Sequence, residues 1–338
     1  MSRNEDASFP PQDQFLDSAL RPPSWDEYIG QENIKTNLKI LLSAAKERKH
    51  PPEHLLFYGA PGLGKTTLAH IIAREINSGL KMTSGPAIER IGDLASILTN
   101  LSPHDVLFID EAHRLNKMVE EVLYPAMESG ILHIIIGKGP GARTIQLDLP
   151  PFTLVAATTR IALISSPLRS RFSGGIYQLE FYSEEDIKKI IHRSSQILGI
   201  KIHDDAADEV AKRSRRIPRL ANQLLKRVRD YAQVKKKNLT KETVDEALSL
   251  LGIDILGLQL SDKKILETII TKFSGGPVGL STIALALSED EGTIEEVYEP
   301  YLIQMGLLEK TPRGRVVTEK AYIHVGIPAP EDLQRKLL

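Results

Sequence analysis

The chain of 338 residues contains no cysteine, which excludes disulfides and thiolate metal sites and fits the cytoplasm. No apolar run approaches the roughly 18 residues that a membrane span needs, so no membrane partner is expected. The opening MSRNEDASFPPQDQF lacks a positive region followed by an apolar stretch. It does not read as a signal peptide, and residues 1–19 read as a disordered tail. Acid is scarce in two places. Between Val210 and Lys241 there are twelve Lys or Arg and one acid, Asp230. This is either a solvated helical face or a surface for phosphates. Likewise, no Asp or Glu lies within eight residues of Arg169 or Arg171 in SSPLRSRFSGG. A guanidinium is always charged and seeks planar acceptors, so these arginines raise the question of their anion.

What is present is ordinary in bulk: 41% hydrophobic and 26% charged, with a net charge of −1. The length suggests two or three domains at roughly 100–200 residues each. Between about Leu20 and Glu180, apolar runs alternate with helical stretches: HLLFYG, VLFID, FTLVAAT and IYQLEF. Continuous apolar strands separated by helices predict a parallel sheet covered on both faces. From Ser183 the pattern turns helical, opening on a Ser183–Asp186 capping signature. Boundaries are expected near Phe181 and near Gly252–Gly257. The last third reads as three helices and a hairpin with Pro312 and Gly314 at its tip.

GAPGLGKTT (59–67) follows an apolar strand and opens a helix, the context a phosphate-binding loop requires. Its glycines, Gly62 and Gly64 among them, let backbone N–H groups close on phosphate oxygens, and the helix N-terminus adds its dipole. Leu63 and Thr67 belong to the same loop. Lys65 is expected on the β- and γ-phosphates of ATP, and Thr66 on Mg²⁺. VLFIDEAHR ends a buried strand in two acids, about 45 residues downstream. Asp110 is the expected Mg²⁺ partner through water, and Glu111 would polarise the attacking water. Thr158 and Thr159 close another strand, where they would either position water or form a plain turn. His50 and His54 have metal-like spacing, but Pro51 and Pro52 forbid the helix that would align them, so both read as loop residues.

The order of these motifs resembles the AAA+ ATPases. LRPPSWDEYIGQ, YPAMESGILHIIIGKGPGART, IPRLANQLLKRVRDYAQ and GGPVGLSTIALALSEDEGTIEEVYEPYLIQMGLLEKTPRGRV narrow the resemblance to the bacterial RuvB family, over roughly residues 20–327. It implies a large α/β AAA+ ATPase domain (20–181), a small helical lid (182–254) and a winged-helix DNA-binding head (255–338). It also implies an ATP-driven, homohexameric motor for branch migration of Holliday junctions in recombination, DNA repair and the SOS response. Leu20, Arg21 and Tyr182 would flank the nucleotide, with Thr159 as sensor 1 and Arg219 as sensor 2. Arg171 would be the arginine finger, completing the site of the next subunit. Such a residue is worth about 10³–10⁵ in rate. Four departures stand out: Ala60 for proline, Ala112 for isoleucine, Arg216 for glycine, and one extra residue in SGGI.

The helix TIEEVYEPYLIQMG carries Glu295, Glu296 and Glu299 and no base, so it cannot lie well against phosphates. Lys310, Arg313 and Arg315 in the wing are the expected contacts to double-stranded DNA at four-way junctions. The segment 131–149 reads as a hairpin whose apolar residues are core or an exposed patch. The resemblance favours a patch for a RuvA-type junction-binding partner and allows a RuvC-type resolvase beside it. Three competing readings are a clamp-loader-like or protein-remodelling ATPase, a superfamily-2 DEAH helicase and a nucleotide-switched scaffold. The chain shows no zinc module, no aromatic-glycine pore loop and no Q-x-x-G-R-x-G-R motif. The full set Lys65, Asp110, Glu111 and Arg171 speaks against the scaffold.

Overall fold

The computed structural model describes residues 16, 18–136 and 143–330. They form two compact units. One runs to Ile200 and includes Arg216–Gln223; the other comprises Lys201–Arg215 and the chain from Leu224 onward. This division cuts across the helical segment expected as a lid.

In the first unit, α1 (Glu32–Arg48) leads to β1 (Leu55–Tyr58), α2 (Lys65–Glu75), β2 (Leu80–Ser84), α3 (Ile91–Thr99) and β3 (Val106–Asp110). Then follow α4 (Lys117–Ser129), a hairpin of β4 (Ile131–Ile136) and β5 (Arg143–Asp148), β6 (Thr153–Thr158), the single turn α5 (Ser166–Arg169), β7 (Gly175–Gln178) and α6 (Glu184–Ile197). The sheet is parallel in the order β2-β3-β6-β1-β7. β6 is buried along its whole length, as helices on both faces require. One face packs Leu107, Ile109, Leu154 and Ala156 against Leu94, Leu98, Val119 and Leu123 of α3 and α4. β2 was not foreseen. It is one of the two edge strands, and its LKMTS sequence exposes Lys81 and Met82, so no apolar run marks it.

The Ser183 side chain accepts from the Asp186 N–H at 3.0 Å and starts α6 as expected. The expected tail lies mostly outside the described residues, yet Leu16, Ser18 and Ala19 are helical. In the hairpin, Leu132 is buried, and Ile134 and Leu147 pack on the core. The base of the hairpin is therefore core, while Ile145 is 41% exposed. The turn 137–142 lies outside the described residues.

The second unit holds α7 (Asp204–Arg213), the later part of α8 (Pro218–Lys235), and α9 (Lys241–Leu250). It continues through α10 (Leu260–Phe273), α11 (Leu280–Leu287), α12 (Glu291–Thr293), a π turn (Ile294–Tyr298) and α13 (Glu299–Gln304). The strands β8 (Leu308–Thr311) and β9 (Gly314–Val317) form the wing, followed by α14 (Glu319–Val325). The expected third helix is thus broken by a π turn just before Pro300, whose ring excludes the Glu296 carbonyl from a regular α-helical position. Leu266, Ile269, Ile283, Ile294, Leu302 and Val317 form the core of this region. A third segment joins the wing, because Val278 and Arg315 exchange backbone hydrogen bonds of 3.0 and 2.8 Å. Gly314 lies so close to Val278 that a Cβ would fall 2.5 Å from the Val278 oxygen.

Candidate active site

β1 ends at the glycine-rich loop, and α2 begins at Lys65 with no side-chain cap on its free N–H groups. Gly59, Gly62 and Gly64 have φ of 143°, 82° and 106°, a region closed to most side chains. A Cβ on Gly59 would fall 2.6 Å from the Leu179 carbonyl oxygen, and one on Gly64 3.1 Å from the Tyr28 hydroxyl. The result is a cradle of N–H groups at the carboxyl end of the sheet, where parallel α/β sheets bind ligands. Above it opens a cavity of about 440 Å³. It is lined by the loop residues Gly62, Leu63, Gly64, Lys65, Thr66 and Thr67, together with Leu20, Arg21, Asp110, Glu111, Thr159, Tyr182 and Arg219. Every residue expected to hold or hydrolyse a nucleotide within its own chain therefore faces one space.

The electrostatics fit an anion. Lys65 Nζ donates to the carbonyls of Gly59 at 2.8 Å and Ala60 at 2.9 Å. Burial lowers its pKa to about 8, Asp110 pulls it back up, and Arg219 pushes it down. A phosphate would supply the counter-charge that neutral carbonyls do not. The N–H groups, Lys65 and Arg219 would hold the phosphates of ATP. Thr66 and Asp110 offer the hard oxygens that Mg²⁺ takes. The Asp110 carboxylate accepts from the Glu111 N–H at 2.9 Å. Glu111 has φ of 48° and pairs with Arg114 at 3.1 Å, in a half-exposed contact. Strained backbone of this kind clusters where side chains must point at a substrate. Thr158 faces inward to His113, 3.0 Å away, which leaves Thr159 on the cavity.

Several features of the cavity left no mark in the sequence motifs. Arg193 of α6 donates to the Leu20 carbonyl at 2.9 Å and to Glu27 at 2.6 and 3.0 Å, fixing the segment that carries Leu20 and Arg21. The Tyr182 hydroxyl donates to the Leu63 carbonyl and lies against the Tyr28 hydroxyl, both at 3.2 Å, and burial pushes it up to about 12. Asn222 also lines the cavity and bonds Ser194 at 2.7 Å. A long-range pattern of single residues with no fixed spacing carries these contacts.

Arg171 does not line this cavity. Its sequence neighbourhood has no acid, but the fold supplies one: Glu128 of α4, 3.1 Å from Nη2. Nη1 donates to the Pro167 carbonyl at 2.6 Å, and the guanidinium lies 4.4 Å over the Tyr124 ring. The arginine thus has a partner in its own chain, because α4 crosses beside α5. The glycines of SGGI have distinct tasks. A Cβ on Gly174 would fall 2.8 Å from the Glu53 carbonyl oxygen, and Gly175 has φ of 122°. Arg216, at the position expected to be glycine, has φ of 58°, a region where glycine is easiest. His54 lies in the loop before β1, as expected, and is half-buried. Its Nδ1 accepts from the Leu154 N–H at 2.9 Å and its Nε2 meets the Met127 carbonyl at 3.0 Å, so it ties that loop to β6 and α4.

In the wing, two of the expected DNA contacts already hold an acid. Arg315 points inward, its Nε 2.7 Å from Glu299, with 11% and 3% of the two side chains exposed. Arg315 is the cation beside the buried Glu299, so a phosphate would have to draw it from that pair. Lys310 pairs with Glu295 at 3.1 Å and remains half-exposed. Arg313 sits exposed at the tip.

Family models of the Holliday junction DNA helicase RuvB P-loop domain, the RuvB AAA lid domain and the RuvB C-terminal winged helix domain match residues 20–178, 182–254 and 255–326. The chain belongs to the RuvB family. The family is one of P-loop ATPases that act as Holliday junction branch-migration motors. The Thermotoga maritima RuvB Holliday junction branch migration motor superposes with a TM-score of 0.84 at 50% identity, over 92% of this chain and 100% of that one. Two substituted forms of Thermotoga maritima RuvB give 0.85 at the same 50% identity, over 92% of this chain and 99% or 100% of theirs. The AAA+ module, lid and winged helix of this RuvB-family chain are the architecture that its motifs implied. A clamp loader or a protein remodeller is not favoured.

Proposed function

We propose that this chain hydrolyses ATP in the cavity over Lys65 and uses the cycle to drive duplex DNA through a homohexameric ring at four-way junctions. The observation that carries this reading is a separation. The nucleotide-facing residues share one cavity, while Arg171 lies outside it. Lys65 and Arg219 hold the phosphates, and Arg21, Leu20 and Tyr182 enclose the rest of the nucleotide. Thr66 and Asp110 hold Mg²⁺, which offsets phosphate charge. Glu111 leaves Arg114 to orient the attacking water, and Thr159 aligns it. Arg171 leaves Glu128 and reaches the γ-phosphate on the neighbouring copy, so turnover requires the ring.

The division into 20–181, 182–254 and 255–338 gives the parts their tasks: chemistry, nucleotide sensing and DNA contact. Arg313 and Lys310 touch the DNA backbone without reading sequence. The exposed part of hairpin 131–149 receives a RuvA-type protein, and a RuvC-type resolvase acts in the same assembly. The setting is the cytoplasm, in recombination, repair and the SOS response. The test is unwinding of a synthetic four-way junction with and without a RuvA-type protein. ATP should support unwinding and a non-hydrolysable analogue should not. Equal unwinding with the analogue would end the motor reading.

A further inference from the structure

Arg215 is the last residue of the second unit before the chain passes to Arg216–Gln223, the segment that carries Arg219. It is 7% exposed, with φ of 56°, and Arg216 follows at 58°. Two successive non-glycine residues in the left-handed region persist only where the surroundings hold them. The surroundings of Arg215 come from the winged-helix side. Its Nε donates to the Gly257 carbonyl at 3.1 Å, and its Nη2 donates to Asp262 of α10. Its guanidinium lies 4.7 Å over the ring of Tyr301 in α13. Tyr301 in turn donates its hydroxyl to the Leu256 carbonyl.

The connection between α9 and α10 is closed by the same groups. Asp254 accepts from the N–H groups of Leu256 and Leu258, each at 2.9 Å. Asp262 accepts from the Gln259 N–H at 2.7 Å and so caps α10. A Cβ on Gly257 would fall 2.7 Å from the Arg213 carbonyl oxygen. Asp262 is fully buried, and one of its oxygens has no partner. A buried ion pair adds little net stability over apolar residues of the same shape. What it does supply is a fixed direction for the backbone of Arg215.

Arg215 touches neither the nucleotide cavity nor the wing tip. It stands four residues before Arg219 and is fastened to the connection, to α10 and to α13. We propose that Arg215 is a positioning residue that makes the winged-helix domain follow the nucleotide-dependent movement of the Arg219 segment. A looser connection would let Arg219 respond to ATP while the DNA-binding domain stayed behind. This inference rests on the motor reading above, and it identifies where in the chain fuel use and DNA movement are joined.

The test uses the full-length protein with a RuvA-type protein and a synthetic four-way junction. Arg215→Met combined with Asp262→Asn removes both charges without burying a lone one, and Arg215→Lys keeps the charge but loses the fork. ATP turnover without DNA should stay within about twofold of the parent. Junction unwound per ATP hydrolysed should fall roughly tenfold in the double variant and less in Arg215→Lys. Unchanged unwinding per ATP, or turnover and unwinding falling together, would overturn the inference and leave only a structural role. A second measurement needs no substitution. Hydrogen exchange of the 256–259 amides should change severalfold when ADP or a non-hydrolysable analogue binds the parent protein, and identical exchange would overturn the coupling. A parent protein that cannot unwind junctions would sink the motor reading itself. A competent parent matched per ATP by its variants would sink only the role of Arg215.

Discussion

The phosphate loop and the wing both present basic side chains, and they treat them in opposite ways. Lys65 is buried against two neutral carbonyls, its charge disfavoured by burial. Arg315 is largely covered too but already meets Glu299. A cation held by neutral dipoles gains from an incoming phosphate, whereas one held by a carboxylate must first lose a partner. A basic residue that the fold has already given an acid must release it before it can take a phosphate.

Arg171 is the sharpest case, because the fold gives it Glu128 and the proposed ring offers it a phosphate. Arg171→Ala should lower ATP turnover of the assembled protein by about 10³–10⁵. Mixing those subunits with Lys65→Ala subunits should recover part of the activity, read as steady-state phosphate release. No recovery in confirmed mixed rings would show that Arg171 acts within its own chain. Glu111→Gln should bind ATP normally and turn it over about 10²–10⁴ more slowly. Equilibrium nucleotide binding beside single-turnover hydrolysis checks both halves, and undiminished hydrolysis would remove Glu111 from its role.

The wing makes the contrast testable in stability. Arg315→Ala leaves Glu299 buried and unpaired, and should destabilise the winged-helix domain by about 3–5 kcal/mol in a urea melt. Arg313→Ala should leave the melt unchanged and reduce the salt slope of duplex binding by about 1. The reverse outcome would return Arg315 to the DNA-facing set.

At the phosphate loop the contrast shows in pH. Burial lowers Lys65 to a pKa of about 8, and bound phosphates favour its charged form. Above that pH the free protein has lost a proton that the nucleotide complex retains. Binding then takes up a proton, and affinity should fall by up to about tenfold per pH unit from pH 8 upward. Calorimetry in buffers of different ionisation enthalpy reads the uptake. Constant affinity and no proton uptake across pH 8–9 would mean that Lys65 does not meet the phosphates.

Local motifs foretold which residues gather at the cavity, for a physical reason. The glycines that free the backbone, Lys65, and the acids after β3 lie within a few residues of their own strand ends, so spacing carries their placement. The apolar strands were legible for the same reason, since β1, β3 and β6 are buried on both faces. β2 was not, because an edge strand tolerates exposed Lys81 and Met82. Arg193, Asn222 and Glu128 were also hidden. Each meets its partner across 28 to 173 positions or from a separate helix, and no local period records such a meeting. The pairing of Arg315 was hidden because Glu299, sixteen residues earlier, looks like surface charge until α13 turns it inward. The ties made by His54 were hidden in the same way, since Leu154 and Met127 lie far off in sequence.

Gly314 has a mechanical consequence. Pressed against Val278 with no room for a methyl group, it makes the wing a third-strand brace rather than a swinging arm. A tooth that bends under load would dissipate the stroke in its own deflection. In the proposed motor, low compliance this close to the tip would let Arg313 bear tension from a polymer while the strands behind it stay still.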